Sequence, residues 1–284
     1  MNERILVTGA TGNIGREVVR ELQQRNANFA VMTSHSGRTL PGVSSGEGDF
    51  ADPASLERAF RGFDTAFLLF PMAPNQVEMA HNAVQAAKAA GIRHIVRSSS
   101  IGADPDSRIA IAKVQGEIDE LVKNSGLPWT LLRPSFFMQN WATYHAAQLK
   151  SGTYYAAQGE GAMGAIDVRD IAESAVTVLR DPATHAGRIY TLTGGEALTN
   201  AQQLAAISDV LGSCINYVDV PEAAARDALL GMGMPEVVAG WYMDLNYVVK
   251  QGWGAEVTSD VKTLTGHAPR TFQNFVKEYA DSWR

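Results

Sequence analysis

Ile5-Leu6-Val7-Thr8-Gly9-Ala10-Thr11-Gly12-Asn13-Ile14-Gly15 carries an apolar run straight into three glycines at three-residue spacing. An amphipathic stretch from about 14 to 25 follows, so the order predicted is strand, tight turn, helix. In such a turn one glycine permits the sharp reversal, one lets the backbone approach a pyrophosphate, and one lets the helix pack closely on the sheet. The helix N-terminus adds unpaired N–H groups and a positive dipole end, an anion site without a basic side chain. The stretch predicts a dinucleotide pocket. An ordinary strand–helix turn fits three glycines too, so the decision rests on what surrounds them.

Outward from this turn, strand and helix periods alternate. Phe29-Ala30-Val31-Met32 reads as a second strand, a third lies near 45–49, and a helix runs from Pro53 to Arg61 with Asp52 as its cap and Pro53 in the first helical position. Ala66-Phe67-Leu68-Leu69-Phe70 is the expected fourth strand, ended by Pro71. A helix over about 75–90 stops at Gly91, His94 to Ser98 makes the fifth strand, a helix over about 108–125 stops at Gly126, and Trp129 to Arg133 forms the sixth. The pattern is α/β, a Rossmann-type doubly wound parallel sheet. Residues 1–134 are expected to form the NAD(P)-binding domain. Beyond Pro134 the rhythm loosens, with turn signals at Gly152, Gly159, Gly161, Gly194 and Gly195. Residues 135–284 are expected to form a smaller α/β substrate-capping region, with parts at about 163–192, including a helix near 169–180, packing back on the first domain.

Composition narrows the function. The 284 residues are 45% hydrophobic, enough for a large core, and no apolar run approaches the roughly 20 residues of a membrane span. The polar start Met1-Asn2-Glu3-Arg4 enters the first strand directly, so the expected location is cytoplasmic. Cys214 is alone, and the six histidines show no zinc-like spacing, so no disulfide and no metal are expected. A net charge of −6 without a long basic run argues against nucleic acid as a partner. The expected ligand is small, and exposed apolar helices are compatible with a homodimer.

Seven segments, in order, carry a resemblance over nearly the whole chain. They are Thr8 to Gly15; Gly48-Asp49-Phe50-Ala51-Asp52 before Ser55-Leu56; Gly62-Phe63-Asp64; Ala90 to Val96; Ser125 to Pro134; Val168-Arg169-Asp170-Ile171-Ala172; and Thr265 to Phe272. With these the chain resembles the NmrA-like members of the atypical short-chain dehydrogenase/reductase superfamily, near the bacterial NAD(P)H-dependent quinone and triphenylmethane dye reductases. The resemblance implies that Gly9, Thr11, Gly12, Asn13, Ile14 and Gly15 form the pyrophosphate turn, and that Asp49 and Phe50 hold and cover the adenine edge. It further implies that Leu69, Phe70 and Pro71 pass under the cofactor, and that Pro134 and Phe136 join the cofactor contacts. Asp49 equally suits a turn cap, and Phe70-Pro71 the end of a core strand.

Cofactor choice is argued from an absence. NAD pockets place an acid about 20 residues beyond the glycines. Here Val31-Met32-Thr33-Ser34-His35-Ser36-Gly37-Arg38 ends the second strand, and no Asp or Glu occurs between Glu21 and Glu47. Hydroxyls from Thr33 and Ser34 with a cation from Arg38 or His35 suit a 2′-phosphate, which favours NADP(H) over NAD(H). Arg38 also fits a solvated loop charge.

The superfamily's Tyr-x-x-x-Lys pair is broken in this chain: four residues before Lys113 stands Ile109. The resemblance leaves Lys113 beside the nicotinamide ribose or substrate, although an exposed helix lysine reads the same way. Ser98, Ser99 and Ser100 follow the fifth strand where the superfamily positions a hydroxyl donor. Ser98 is assigned to the cofactor, and Lys113 and Ser99 are the catalytic candidates. Without the tyrosine a simple ketone is a poor acceptor, because the alkoxide formed needs a positioned acid. A quinone gives a phenolate-like anion with a conjugate acid near pKa ~10, and a cationic dye or iminium needs no proton. Phe137, Trp141, Tyr144, Met232 and Trp241 are the candidate wall for a planar acceptor, since aromatic faces stack and methionines adapt. Core packing accounts for these residues equally well. The expected function is an NADPH-preferring reductase of quinone-like or other conjugated aromatic acceptors. The alternatives are a non-catalytic NADP(H) redox sensor acting through a protein partner, and a carbonyl or imine reductase with a relocated proton donor.

Overall fold

The computed structural model describes residues 3–34 and 40–284. Strands β1 (Arg4–Val7), β2 (Asn28–Thr33), β3 (Ser45–Glu47), β4 (Thr65–Leu68), β5 (His94–Ser98), β6 (Trp129–Pro134) and β7 (Arg188–Leu192) build one sheet in the order β3-β2-β1-β4-β5-β6-β7. The registered pairings from β3 to β6 are parallel. Gly187 N–H donates to Trp129 O at 2.7 Å and Ser135 N–H to Leu192 O at 2.9 Å, so β7 also runs parallel to β6. Ile5, Leu6 and Val7 are buried, as are all four residues of β4 and all five of β5. A parallel sheet covered on both faces demands this, which is why the strands read as continuous apolar runs rather than alternating ones.

Helices α1 (Asn13–Gln24), α2 (Pro53–Phe60), α3 (Gln76–Ala90), α4 (Ala110–Lys123) and α5 (Val168–Arg180) accompany these strands. Their ends follow local chemistry. Asp52 accepts from Ala54 N–H with Pro53 in the first turn of α2, and Gly91 closes α3 in the left-handed conformation at φ 78°. The order of the sheet reverses between β1 and β4, so the crevice at the carboxyl ends of those two strands is the topological switch point.

One expected boundary is corrected. The fourth strand ends at Leu68 instead of Phe70, because the Leu69 N–H leaves the ladder and donates to the Thr8 hydroxyl at 2.9 Å. Apolar side chains at Leu69 and Phe70 make the sequence look like strand, while their backbone is diverted.

The chain divides into two compact units. The first comprises Met1–Arg108, Ala112–Pro134 and Ile171–Thr191, and holds the crevice. Its core includes Leu6, Leu56, Phe60, Leu68, Ile95, Ile118 and Leu131. The second comprises Ile109–Ile111, Ser135–Asp170 and Leu192–Arg284. It contains a short parallel pair, Thr153–Ala156 with Asn216–Asp219, and an antiparallel pair, Ala162–Met163 with Leu198–Thr199. Its core gathers Met138, Trp141, Tyr154, Leu204, Phe272, Phe275 and Trp283. Among the described residues no helix is long and apolar enough to cross a membrane.

Candidate dinucleotide site

The glycines of the first turn differ in what a side chain would meet. Gly9 sits at φ 66°, and a Cβ there would stand 3.0 Å from the Leu69 side chain. A Cβ on Gly15 would stand 2.1 Å from the Gly9 carbonyl oxygen and 2.8 Å from Ala10 Cα, so α1 reaches its place only with glycine there. Gly12 differs: its backbone is extended at φ −79°, ψ 175°, and its Cβ would meet only the Gly9 oxygen at 3.4 Å. Neither conformation nor packing within the chain requires glycine at 12. That bare backbone lies at the first turn of α1, which contains no acidic residue and whose N–H groups are suited to an anion. Gly12 N–H donates to Gly9 O at 3.0 Å, and Arg16 Nε holds Thr11 O at 2.7 Å, so the turn is already ordered.

The second flank of the crevice is tied to the first. Thr8 is fully buried; its hydroxyl donates to Phe67 O at 3.0 Å and accepts from Leu69 N–H. The Gln76 amide donates to Pro71 O at 2.8 Å. Phe70 packs on Phe50 with ring centroids 4.9 Å apart, and both are buried in the core, while Asn82 donates to Phe50 O. Phe50 thus stands as a core wall. Asp49 is exposed, and its carboxylate caps a turn by accepting from Ala51 N–H at 2.9 Å.

At the end of β5, Ser98 and Ser99 are buried and their hydroxyls have no partner among the described residues. Buried hydroxyls normally find one, so this pair at the carboxyl end of a central strand is a candidate contact for a ligand. Ile109 is half-buried and precedes α4. Lys113 is exposed on that helix and makes no hydrogen bond or ion pair among the described residues. Gly116 lets the loop after β5 lie on α4, since a Cβ there would come 2.2 Å from the backbone of Asp104 and Pro105. Thr33 is buried and Ser34 exposed at the end of β2, with Glu47 in register with Thr33 on β3. Arg38 lies outside the described residues. Pro134 closes β6.

In the second unit, Trp141 is core: it is 4% exposed, its indole N–H donates to Gln203 at 2.7 Å, and its ring meets Tyr154 edge-on. Trp241 is equally buried, whereas Tyr144 and Met232 are 69% and 77% exposed. Phe136 and Phe137 are half-buried, with Phe137 bridged in parallel to Ile166.

The NmrA-like family model matches residues 1–273 of this chain, the glycine turn and both units included. The chain belongs to the NmrA-like family. This NmrA-like chain is 39% identical over 280 residues to a protein named NAD(P)H azoreductase from Xenophilus azovorans, covering 97% of this chain and 98% of that one. It is 35% identical to (4-alkanoyl-5-oxo-2,5-dihydrofuran-3-yl)methyl phosphate reductase of Streptomyces griseus, covering 98% and 99%. Among solved structures, the NADPH complex of the Escherichia coli NADPH-dependent quinone oxidoreductase QOR2 superposes with a TM-score of 0.87 at 26% identity, covering 96% of this chain and 99% of that one.

Several residues that shape the crevice of this NmrA-like chain escape a reading of the sequence. Thr8 looks like the last residue of a strand and is its clamp. Gln76, Gln115 and Asp119 look like ordinary helix polar residues and are bonded across elements. Arg97 carried a usable signal, because a charge inside the apolar run His94 to Ser98 must find a buried partner. It pairs with Asp119, which also binds Arg133 at 2.7 Å.

Proposed function

We propose that this chain is an NAD(P)H-dependent reductase that prefers NADPH and passes hydride to quinone-like or other conjugated acceptors. The observation that carries the reading is Gly12, a glycine that the fold itself does not need, at a helix N-terminus on the switch point. Gly9 to Gly15 would hold the pyrophosphate, Leu69 to Pro71 would lie under the dinucleotide, and the orphaned Ser98 and Ser99 hydroxyls would reach the nicotinamide end or the acceptor. A bound nicotinamide supplies the hydride. The chain supplies alignment and a surface that excludes water.

The acceptor class follows from what stands before Lys113. Ile109 has no proton to give, so an acceptor whose reduced form is a stabilised anion, or a cation that hydride neutralises, suits this site better than a ketone. The relatives named above point the same way. Azo compounds, quinones and an unsaturated lactone bearing an acyl group all spread the incoming charge over a conjugated system. NADPH over NADH is supported by the missing acid after β2, where Thr33 and Ser34 stand. Phe137, Tyr144, Met232 and, on the buried side, Trp141 and Trp241 are the residues to test for acceptor contacts.

The deciding experiment is multiple-turnover NADPH oxidation with quinones, azo and cationic dyes, and simple ketones. Consumption far beyond one equivalent with conjugated acceptors but not ketones is expected. Tight NADPH binding without turnover on any acceptor would instead indicate a sensor.

A further inference from the structure

The segment beyond β4 is pinned at both ends, at Leu69 N by Thr8 and at Pro71 O by Gln76. The second pin belongs to a line of buried polar groups whose direction is fixed. Gln76 Nε2 donates to Pro71 O at 2.8 Å, Gln115 Nε2 donates to Gln76 Oε1 at 2.7 Å, and Arg97 donates from Nη2 to Gln115 Oε1 at 2.6 Å. A carbonyl only accepts and a guanidinium only donates. Both amides must therefore point nitrogen toward Pro71 and oxygen toward Arg97, and neither can flip without setting like against like. Asp119 anchors the far end by taking Arg97 on one oxygen and Arg133 on the other. Gln76 is 5% exposed and Arg97 and Asp119 1% each, so solvent does not replace a lost bond along most of the line.

We propose that Gln76 and Gln115 are positioning residues for dinucleotide binding: they set the height of Leu69–Pro71 above the sheet and register it to α4, where Lys113 lies two residues before Gln115. This rests on the reading of Leu69–Pro71 as the floor of the dinucleotide site. Neither amide touches the reacting atoms; both act through the Pro71 carbonyl.

The test measures NADPH dissociation constants by protein fluorescence, and amide hydrogen exchange over residues 69–75 without dinucleotide, for the wild type, Gln76→Glu, Gln76→Met and Gln115→Glu. Gln76→Glu sets a carboxylate oxygen against the Pro71 carbonyl. Affinity should fall about tenfold or more and exchange should accelerate, with Gln76→Met, which only removes the donor, falling less. The introduced carboxyl regains a donor when protonated. NADPH affinity of Gln76→Glu should therefore recover between about pH 8 and about pH 6, relative to the wild type. If Gln76→Glu does not fold, Gln76→Met and Gln115→Glu decide. Wild-type affinity in the folded variants, or a lowered thermal midpoint with unchanged affinity and no pH recovery, would overturn the positioning role and leave the reductase reading standing. A wild-type chain that binds no NADPH would overturn both.

Discussion

Gly15 lies so close to Gly9 that any β-carbon on it would stand 2.1 Å from the Gly9 carbonyl oxygen, whereas a β-carbon on Gly12, between them, would meet that oxygen only at 3.4 Å. The two positions should separate folding from binding. Gly15→Ala should destabilise the chain by about 1–3 kcal/mol through overpacking of backbone on backbone. Gly12→Asp should leave the thermal midpoint unchanged or raise it slightly, because a negative charge at a helix N-terminus is favourable. On the proposed placement of the dinucleotide, the same carboxylate would fill the pyrophosphate position and repel it, so NADPH binding should be lost. Calorimetric melting and NADPH titration of both variants check this; unchanged NADPH affinity in Gly12→Asp would remove the pocket from this turn.

The Arg97–Asp119–Arg133 group predicts an order of damage. Asp119→Ala leaves the Arg97 guanidinium buried with its counter-charge gone, and a cost of about 3–5 kcal/mol is expected. Arg97→Met removes the buried charge and leaves Asp119 still paired with Arg133, so it should cost less. Urea denaturation of the two variants tests the order, and a milder Asp119→Ala would contradict it.

The strands and helices of the first unit are legible in the sequence because a parallel sheet imposes apolar runs and because Asp52, Gly91 and the glycine turn announce the ends of elements. The missed features share a cause: they are bonds between residues far apart in the chain. The end of β4 depends on Thr8, 61 residues away, and the Gln76–Gln115 pair spans 39 residues. No local period encodes either. In the second unit, Trp141 and Tyr144 are three residues apart in one aromatic run, yet one is core and the other is exposed. Residue type alone does not separate them.

Acid should weaken the fold through His94. This histidine is buried, and its Nε2 stands 2.9 Å from the Thr130 hydroxyl, which itself donates to His185 O. With the hydroxyl proton committed to His185 O, His94 must donate, so Nε2 carries a proton. Burial, and secondarily the charge of His185, push its pKa down to about 4 from 6.5. Because the folded pKa is depressed, the unfolded chain takes up the proton first. The stability from a neutral His94 is complete above pH 6.5 and is lost as pH falls from 6.5 toward about 4. His145, also pushed down to about 4 by burial, acts in the same window. His94→Gln keeps a donor for Thr130 without a titrating ring, so its urea midpoint should fall less steeply than the wild type's between pH 7 and pH 4.5. Parallel pH profiles would show that His94 is not the sensitive group.

Lys113 offers the cleanest separation of chemistry from folding. It is exposed on α4 and bonded to no described residue, so Lys113→Ala should change stability by no more than about 0.5 kcal/mol. If its ammonium binds the ribose or the acceptor, the loss is one charge-assisted hydrogen bond, worth about 1.5–3 kcal/mol, or roughly 10- to 100-fold in kcat/KM. Lys113→Arg should recover part of that loss by restoring the charge, though its planar fork presents donors in a different geometry. Steady-state kinetics with NADPH and a quinone, set beside the melting curves, give the answer. Wild-type kcat/KM in Lys113→Ala would reduce this residue to a solvated helix charge and shift the search for the catalytic group to the orphaned hydroxyls of Ser98 and Ser99.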